Sequence, residues 1–373
     1  MNKTLYELQD TSGLISPALV YYREIILENT MKAIKMAGGP ERLWPHVKSH
    51  KCIEMVRLQI GLGITRFKCA TIAEAEMAAE AGASHIILAY PLIGPNIARY
   101  LRLASAPQYN TNRRTVFYAI GDNYGSLSEL SAQAEKMQMK MNVLLDVDLG
   151  MHRTGISFDT LFSLYQSSSK LKGINPVGLH CYDGHCHERD FNDRKKVTGE
   201  NDIKVLQIQQ ALRSDGLECE ILVMGGTPTF PCRTGKKEFY LSPGTFFVND
   251  WGYWSGFPDL DFTPGAAIFT RVVSHQGSNT FTLDLGHKGI GADPPGQRGI
   301  IAGLEQAKPL FQSEEHWVFS LPEGALPPIG SGQYVIPAHI CPTSALYPEI
   351  QIAQEGKITG TWNVTARNRR ITF

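Results

Sequence analysis

The residues Trp44-Pro45-His46-Val47-Lys48-Ser49-His50-Lys51 place a lysine between two histidines at two-residue spacing. Alternate side chains of an extended segment share a face, so His46, Lys48 and His50 are expected on one side. A lysine ending a buried strand is partly desolvated, which lowers its pKa and frees a neutral amine for imine chemistry. The competing reading is a basic surface turn that happens to contain histidines. These eight residues alone do not separate the two.

Other stretches carry chemistry of their own. Gly225-Gly226-Thr227-Pro228-Thr229 and Ser242-Pro243-Gly244-Thr245 offer glycine N–H groups that an anion can approach closely, with threonine hydroxyls as further donors. Either loop alone reads equally as a tight turn. Asp146-Val147-Asp148-Leu149-Gly150-Met151-His152-Arg153-Thr154-Gly155 contains an arginine suited to an anionic oxygen, or to capping the next helix. His180-Cys181-Tyr182-Asp183-Gly184-His185-Cys186-His187 is dense in titratable groups, yet its spacing matches no closed zinc site. Within it Tyr182 reads as an aromatic neighbour of a bound ring, and His185 and His187 as acid–base candidates. Pro337-Ala338-His339-Ile340-Cys341 supplies an imidazole and a thiol that point the same way on an extended segment, a soft pair suited to zinc.

The elements that must position these groups are regular. Strand-like runs end near Lys48, Cys69, Tyr90, Ile120, Val147, His180, Met224 and Leu241, and helix-like spacing lies between most of them, as in Ile72 to Ala81 and Phe158 to Ser169. Eight strands alternating with helices predict an α/β fold, a (β/α)8 barrel of the TIM type, over residues 15–250. A doubly wound open sheet competes, but no dinucleotide fingerprint follows the first strand. Residues 251–373 lose the helical period and read as a β-rich C-terminal domain, completed by residues 1–14. In such barrels catalytic groups sit at the C-terminal strand ends, and phosphate is frequently held after strands seven and eight. Both glycine–threonine loops fall there. A lysine on the first strand and a phosphate cradle on the last two imply pyridoxal 5'-phosphate held as a Schiff base.

Composition sets the frame. In 373 residues the 36 Lys and Arg balance the 36 Asp and Glu, so no one-signed field for nucleic acid or an anionic membrane surface is present. The stretch Met1 to Glu7 lacks the apolar core of a signal peptide, and no apolar run approaches a bilayer span. Seven irregularly spaced cysteines argue against a disulfide framework and for a reducing, cytoplasmic interior.

With these motifs in hand, the chain resembles the fold-type III pyridoxal-phosphate enzymes, specifically the D-threonine aldolase and D-serine dehydratase group related to alanine racemase. The resemblance rests on Pro45 to Lys51, Asp148 to Gly155, Gly225 to Thr229, Pro243 to Thr245 and Pro337 to Cys341, in the family's order. It implies that Lys48 is the Schiff-base lysine and that Arg153 lies near the cofactor ring. It further implies that Gly225, Gly226, Thr227, Gly244 and Thr245 contact its phosphate. His339 and Cys341 would hold a divalent metal (zinc, with manganese or magnesium as alternatives) that engages the β-hydroxyl of a D-amino acid. The implied activity is a lyase on D-3-hydroxy amino acids, by retro-aldol cleavage or by dehydration, in a homodimer. A racemase is the alternative; Ser242 stands where racemases carry an arginine, which weakens it. A non-catalytic pyridoxal-phosphate carrier is the third reading, and the second domain speaks against it.

Overall fold

The computed structural model describes residues 2–110, 115–293, 295–322 and 324–373, so Met1 of the lead-in lies outside it. The chain forms two compact units. One comprises residues 34–48, 53–244 and 368–373, the other residues 1–33, 49–52 and 245–367.

The first unit is built on a seven-stranded parallel sheet. Its strands are Arg66–Cys69, His85–Leu88, Val116–Gly121, Met141–Asp146, Ile174–Cys181, Ile221–Met224 and Tyr240–Leu241, each paired with the next. Helices such as Ile72–Glu80, Tyr124–Lys136, Phe158–Ser168 and Phe191–Ser214 provide the crossovers that parallel pairing requires. Their starts are chemically marked: Thr71, Asn123 and Asp190 each accept a first-turn N–H with the side chain. The sheet interior is filled by Trp44, Ile87, Tyr118, Ile120, Leu144, Val177 and Val223. Trp44 meets Tyr118 and Tyr240 edge to face, and its indole N–H donates to the Phe67 carbonyl at 2.8 Å.

The first of the eight expected strands, the one ending at Lys48, does not form as a strand. Leu43 makes a single parallel bridge to Leu241 and His46 another to Lys68, so this segment touches both edge strands without becoming a ladder. Pro45 lacks an N–H and interrupts the pairing, although its carbonyl still accepts from Lys68 N–H at 2.8 Å. Val47–Ser49 then closes into a 3-10 turn. The alternation predicted for His46, Lys48 and His50 is thereby overturned, because residues two apart in such a turn do not share a face. His46 Nδ1 instead accepts the Lys48 N–H at 3.3 Å. His50 is buried, accepts the Cys52 N–H at 3.1 Å, and has its pKa pushed down to about 3 by burial.

The second unit is β-rich. Its main path runs Lys308–Gln312, Trp317–Ser320, Thr280–Leu283, Ala266–Gln276, Ala18–Tyr22, Glu349–Gln354 and Lys357–Asn363, with Gly332–Pro337 joining Ala266–Gln276 to Gly299–Ile301. Ala18–Tyr22 is antiparallel to Ala266–Gln276 and parallel to Glu349–Gln354. It is buried along its whole length, which is why it reads as a continuous apolar run. Among the described residues no helix is long and apolar enough to cross a membrane.

Candidate active site

In the parallel-sheet unit the strand ends converge on one aromatic ring. The Tyr182 ring follows Ile174–Cys181, and three cations face it: Arg153 with its guanidinium carbon 5.1 Å from the ring centroid, Lys68 Nζ at 5.4 Å and Lys48 Nζ at 5.9 Å. A Cβ on Gly226 would lie 3.0 Å from the Tyr182 ring, so the first phosphate-candidate loop packs directly against it. Arg153 therefore does not cap the following helix, whose N-cap is Ser157.

Behind these cations lie buried acids. Asp146 accepts from the His180 ring at 2.7 Å and from the Thr154 hydroxyl at 2.9 Å. Burial lowers the pKa of His180, against the pull of Asp146. Its Nδ1–H thus donates to Asp146, leaving Nε2 as a buried acceptor with no hydrogen-bond partner among the described residues. Asp183 accepts from Arg233 at 2.6 Å and from the Thr229 hydroxyl at 2.8 Å. Arg233 continues to Asp202 at 2.7 Å, which Lys236 joins at 2.8 Å.

This ionic network shapes the first glycine loop. Gly225 has φ 75°, and a Cβ there would lie 2.6 Å from Thr229 Oγ1 and 2.7 Å from Arg233. Only hydrogen fits. The Gly226 N–H donates to Thr229 Oγ1 at 3.1 Å, and the Gly244 N–H to Thr227 Oγ1 at 3.1 Å, which ties the two loops together. Ser242 is buried and donates to the Trp44 carbonyl at 2.8 Å.

These residues fit pyridoxal phosphate. A half-buried lysine suits its aldehyde, and excess positive charge around one ring suits its anionic oxygens. Two linked glycine–threonine loops suit its phosphate, and the unpartnered His180 nitrogen accepts a further donor.

The other candidates are placed as follows. His185 is half-buried, with its Nε2 3.1 Å from where a Gly150 Cβ would stand, while His187 is exposed. In the β-rich unit His339 is extended and precedes the helix Ile340–Leu346, so Cys341 sits in a first helical turn rather than on the extended segment expected for the pair. The two side chains nevertheless meet. Burial lowers the pKa of His339, but hydrogen bonding to Cys341 together with the charges of Cys341, Asp250 and Asp293 outweighs it, and the pKa is raised to about 9. Asp293 Oδ2 lies 3.2 Å from His339 Nδ1; Ser49 and Thr245 hydroxyls lie 3.3 and 3.5 Å from the Cys341 sulfur. Buried Asp250 accepts the N–H groups of Ile340 and Tyr253 at 3.0 and 2.9 Å, fixing the turn. Imidazole and thiol are donors that suit a divalent cation of zinc's softness. Among the described residues no group of three or more His, Cys, Asp and Glu side chains could hold a metal.

Sequence reasoning missed Lys68, the Asp146–His180 pair and the Asp183–Arg233–Asp202 network. The first two stand at strand ends already singled out, so a lysine inside Arg66-Phe67-Lys68-Cys69 was the available signal. Arg233 has no local signature.

Comparison with known proteins agrees with this geometry. The model for "alanine racemase, N-terminal domain" matches residues 23–248, more than half of the chain, and the D-ser_dehydrat model, for a serine dehydratase domain, matches residues 265–353. A D-threonine aldolase of Arthrobacter sp is 28% identical over 87% of this chain and 85% of that protein. A D-threo-3-hydroxyaspartate dehydratase of Delftia sp. (strain HT23) is 24% identical over 95% of this chain and 98% of that protein. The crystal structure of D-threonine aldolase from Filomicrobium marinum superposes with a TM-score of 0.86 at 26% identity, covering 95% of both chains. The fold and the family model agree, and the chain belongs to the alanine racemase N-terminal domain family, in company with D-threonine aldolases.

Proposed function

We propose that this protein is a pyridoxal-phosphate-dependent lyase acting on D-3-hydroxy amino acids. The observation that carries the reading is the meeting of Lys48 and Arg153 over the Tyr182 ring, beside a glycine–threonine loop. Relatives named D-threonine aldolase and D-threo-3-hydroxyaspartate dehydratase support the substrate class. In this reading Leu43–His46 is the eighth stave of the barrel, supported by its bridges to both edge strands. A homodimer in the cytoplasm completes it; among the described residues no cysteine pairs in a disulfide, in keeping with a reducing compartment.

Lys48 supplies the amine that anchors the cofactor and, once released, a base for the α-proton in a dehydration. Gly225, Gly226, Thr227, Gly244 and Thr245 hold the phosphate. Arg153 orients an anionic oxygen above Tyr182. His185, half-buried against Gly150, takes the proton of the β-hydroxyl in a retro-aldol cleavage, in preference to exposed His187. When bound, pyridoxal phosphate withdraws electron density from the substrate's α-carbon. His339 and Cys341 would hold a divalent cation, zinc ahead of manganese or magnesium, whose chemistry is Lewis-acid polarisation of a hydroxyl oxygen.

The test is incubation of purified, cofactor-supplemented protein with D-threonine and with D-serine, with and without a chelator. Acetaldehyde plus glycine identifies an aldolase, and pyruvate plus ammonia a dehydratase. Interconversion of enantiomers with no cleavage would overturn the lyase reading in favour of a racemase.

A further inference from the structure

Lys68 is a buried charge that the reading above leaves without a task. It stands in register with Ile87, which is itself in register with Tyr118. Both of these pack in the sheet interior with Trp44, Leu144 and Val223, so Lys68 occupies an otherwise aliphatic and aromatic row. Lys68 is 1% exposed. The carboxylates acting on it are Asp146 and Asp183, and all four of their oxygens already accept from His180, Thr154, Thr229 and Arg233. The neighbouring cations are Lys48 and Arg153. Burial, and then Lys48, push the Lys68 pKa down to about 7. A far larger share of it is therefore neutral, nucleophilic amine near neutral pH than of an ordinary exposed lysine.

Resting on the cofactor assignment made above, we propose that Lys68 is a second imine-forming amine of this site, able to exchange a bound aromatic aldehyde with Lys48 across the Tyr182 ring. The exchange balances without any co-reactant. The Lys68 nitrogen attacks the carbon double-bonded to the Lys48 nitrogen and a new C–N bond forms. Both protons of the Lys68 amine pass to the Lys48 nitrogen, and the old C–N bond breaks. Lys48 leaves as a free amine, ready to act as a base, while the aldehyde carbon never leaves the ring face.

The experiment is reductive trapping with equimolar pyridoxal phosphate and borohydride at pH 7, followed by peptide mapping. Wild type is expected to carry the label on Lys48. In K48A the label is expected on Lys68, at least 100-fold above an exposed lysine such as Lys288. Its trapping rate should fall as pH drops below the range of an ordinary lysine, with a midpoint raised by the loss of the Lys48 charge yet below about 9, and the label should be absent from K48A/K68M. K48Q repeats the measurement, and circular dichroism verifies that each variant is folded. Label on Lys48 in wild type, with none on the peptide containing Lys68 in folded K48A and K48Q, overturns the inference while sparing the function. Trapping at Lys68 that rises only above pH 9 overturns it as well. Label on neither lysine in wild type overturns both readings.

Discussion

Two charged clusters sit within a few residues of each other in the parallel-sheet unit, and they are built on opposite principles. In the Asp183–Arg233–Asp202–Lys236 chain every charge meets an opposite charge at 2.6–2.8 Å, and three of the four members are 1% exposed. Around Tyr182, Lys48, Lys68 and Arg153 face a neutral ring, while the acids behind them are committed elsewhere. The first cluster is complete without a ligand and holds the Gly225–Thr229 loop in place. The second lacks negative charge, and an anionic cofactor or substrate would supply it. Charge that is buried and paired supports the scaffold. Of the three cations around Tyr182 only Lys68 is buried, Lys48 being half-buried and Arg153 exposed, and such unpaired charge beside one ring suits an anionic ligand.

The contrast can be broken experimentally. K48A should lower turnover of a D-3-hydroxy amino acid by about 10³-fold or more with little change in Tm, because it removes the nucleophile and no paired charge. R233M should do the reverse in kind. It leaves Asp183 with no cation partner in the network and Asp202 with only Lys236, and should cost about 3–5 kcal/mol in chemical denaturation. K68M should stabilise the fold by about 1–4 kcal/mol at pH 7, since an apolar side chain suits the interior row better than an amine. Its pH signature follows from linkage. The folded-state pKa is lowered to about 7 from 10.5, so the unfolded chain binds more protons between those values. Wild-type stability should therefore rise with pH from about 7 to 10.5, and K68M should flatten that rise. T229V should cost about 1–3 kcal/mol, because Asp183 loses a donor and the Gly226 N–H its acceptor. H187A, at an exposed position, should leave turnover within about twofold, whereas a large loss would displace His185 as the proposed base.

Much of the candidate site was legible because parallel α/β folds place functional groups at strand ends, and strand ends can be counted. Arg153, Tyr182 and the two glycine loops came from that rule, and Lys48 from its place between two histidines. The conformation of Lys48 was not legible, since Pro45 turns an expected strand end into a 3-10 turn. Lys68 was hidden for a different reason. Alternation in a four-residue strand leaves open which face is interior, and that choice is made by pairing with Ile87 and with the Leu43–His46 segment. Arg233 meets acids 50 and 31 residues away, a separation at which no local pattern survives. Ala18–Tyr22 is a local apolar run, yet its place in the second sheet depends on partners more than 240 residues downstream.

The slender attachment of Leu43–His46 bears on biosynthesis. Trp44 docks against residues around Ser242, 198 positions later, and meets the neighbouring strand at Pro45 and His46. A ribosome releasing this chain from its N-terminus would have made the lysine long before the far edge of its sheet existed. Lys48 is therefore among the earliest site residues to be synthesised and among the last to be locked in place. A nascent chain cut short before Ser242 should not retain pyridoxal phosphate at that lysine, however much of the preceding sheet has formed.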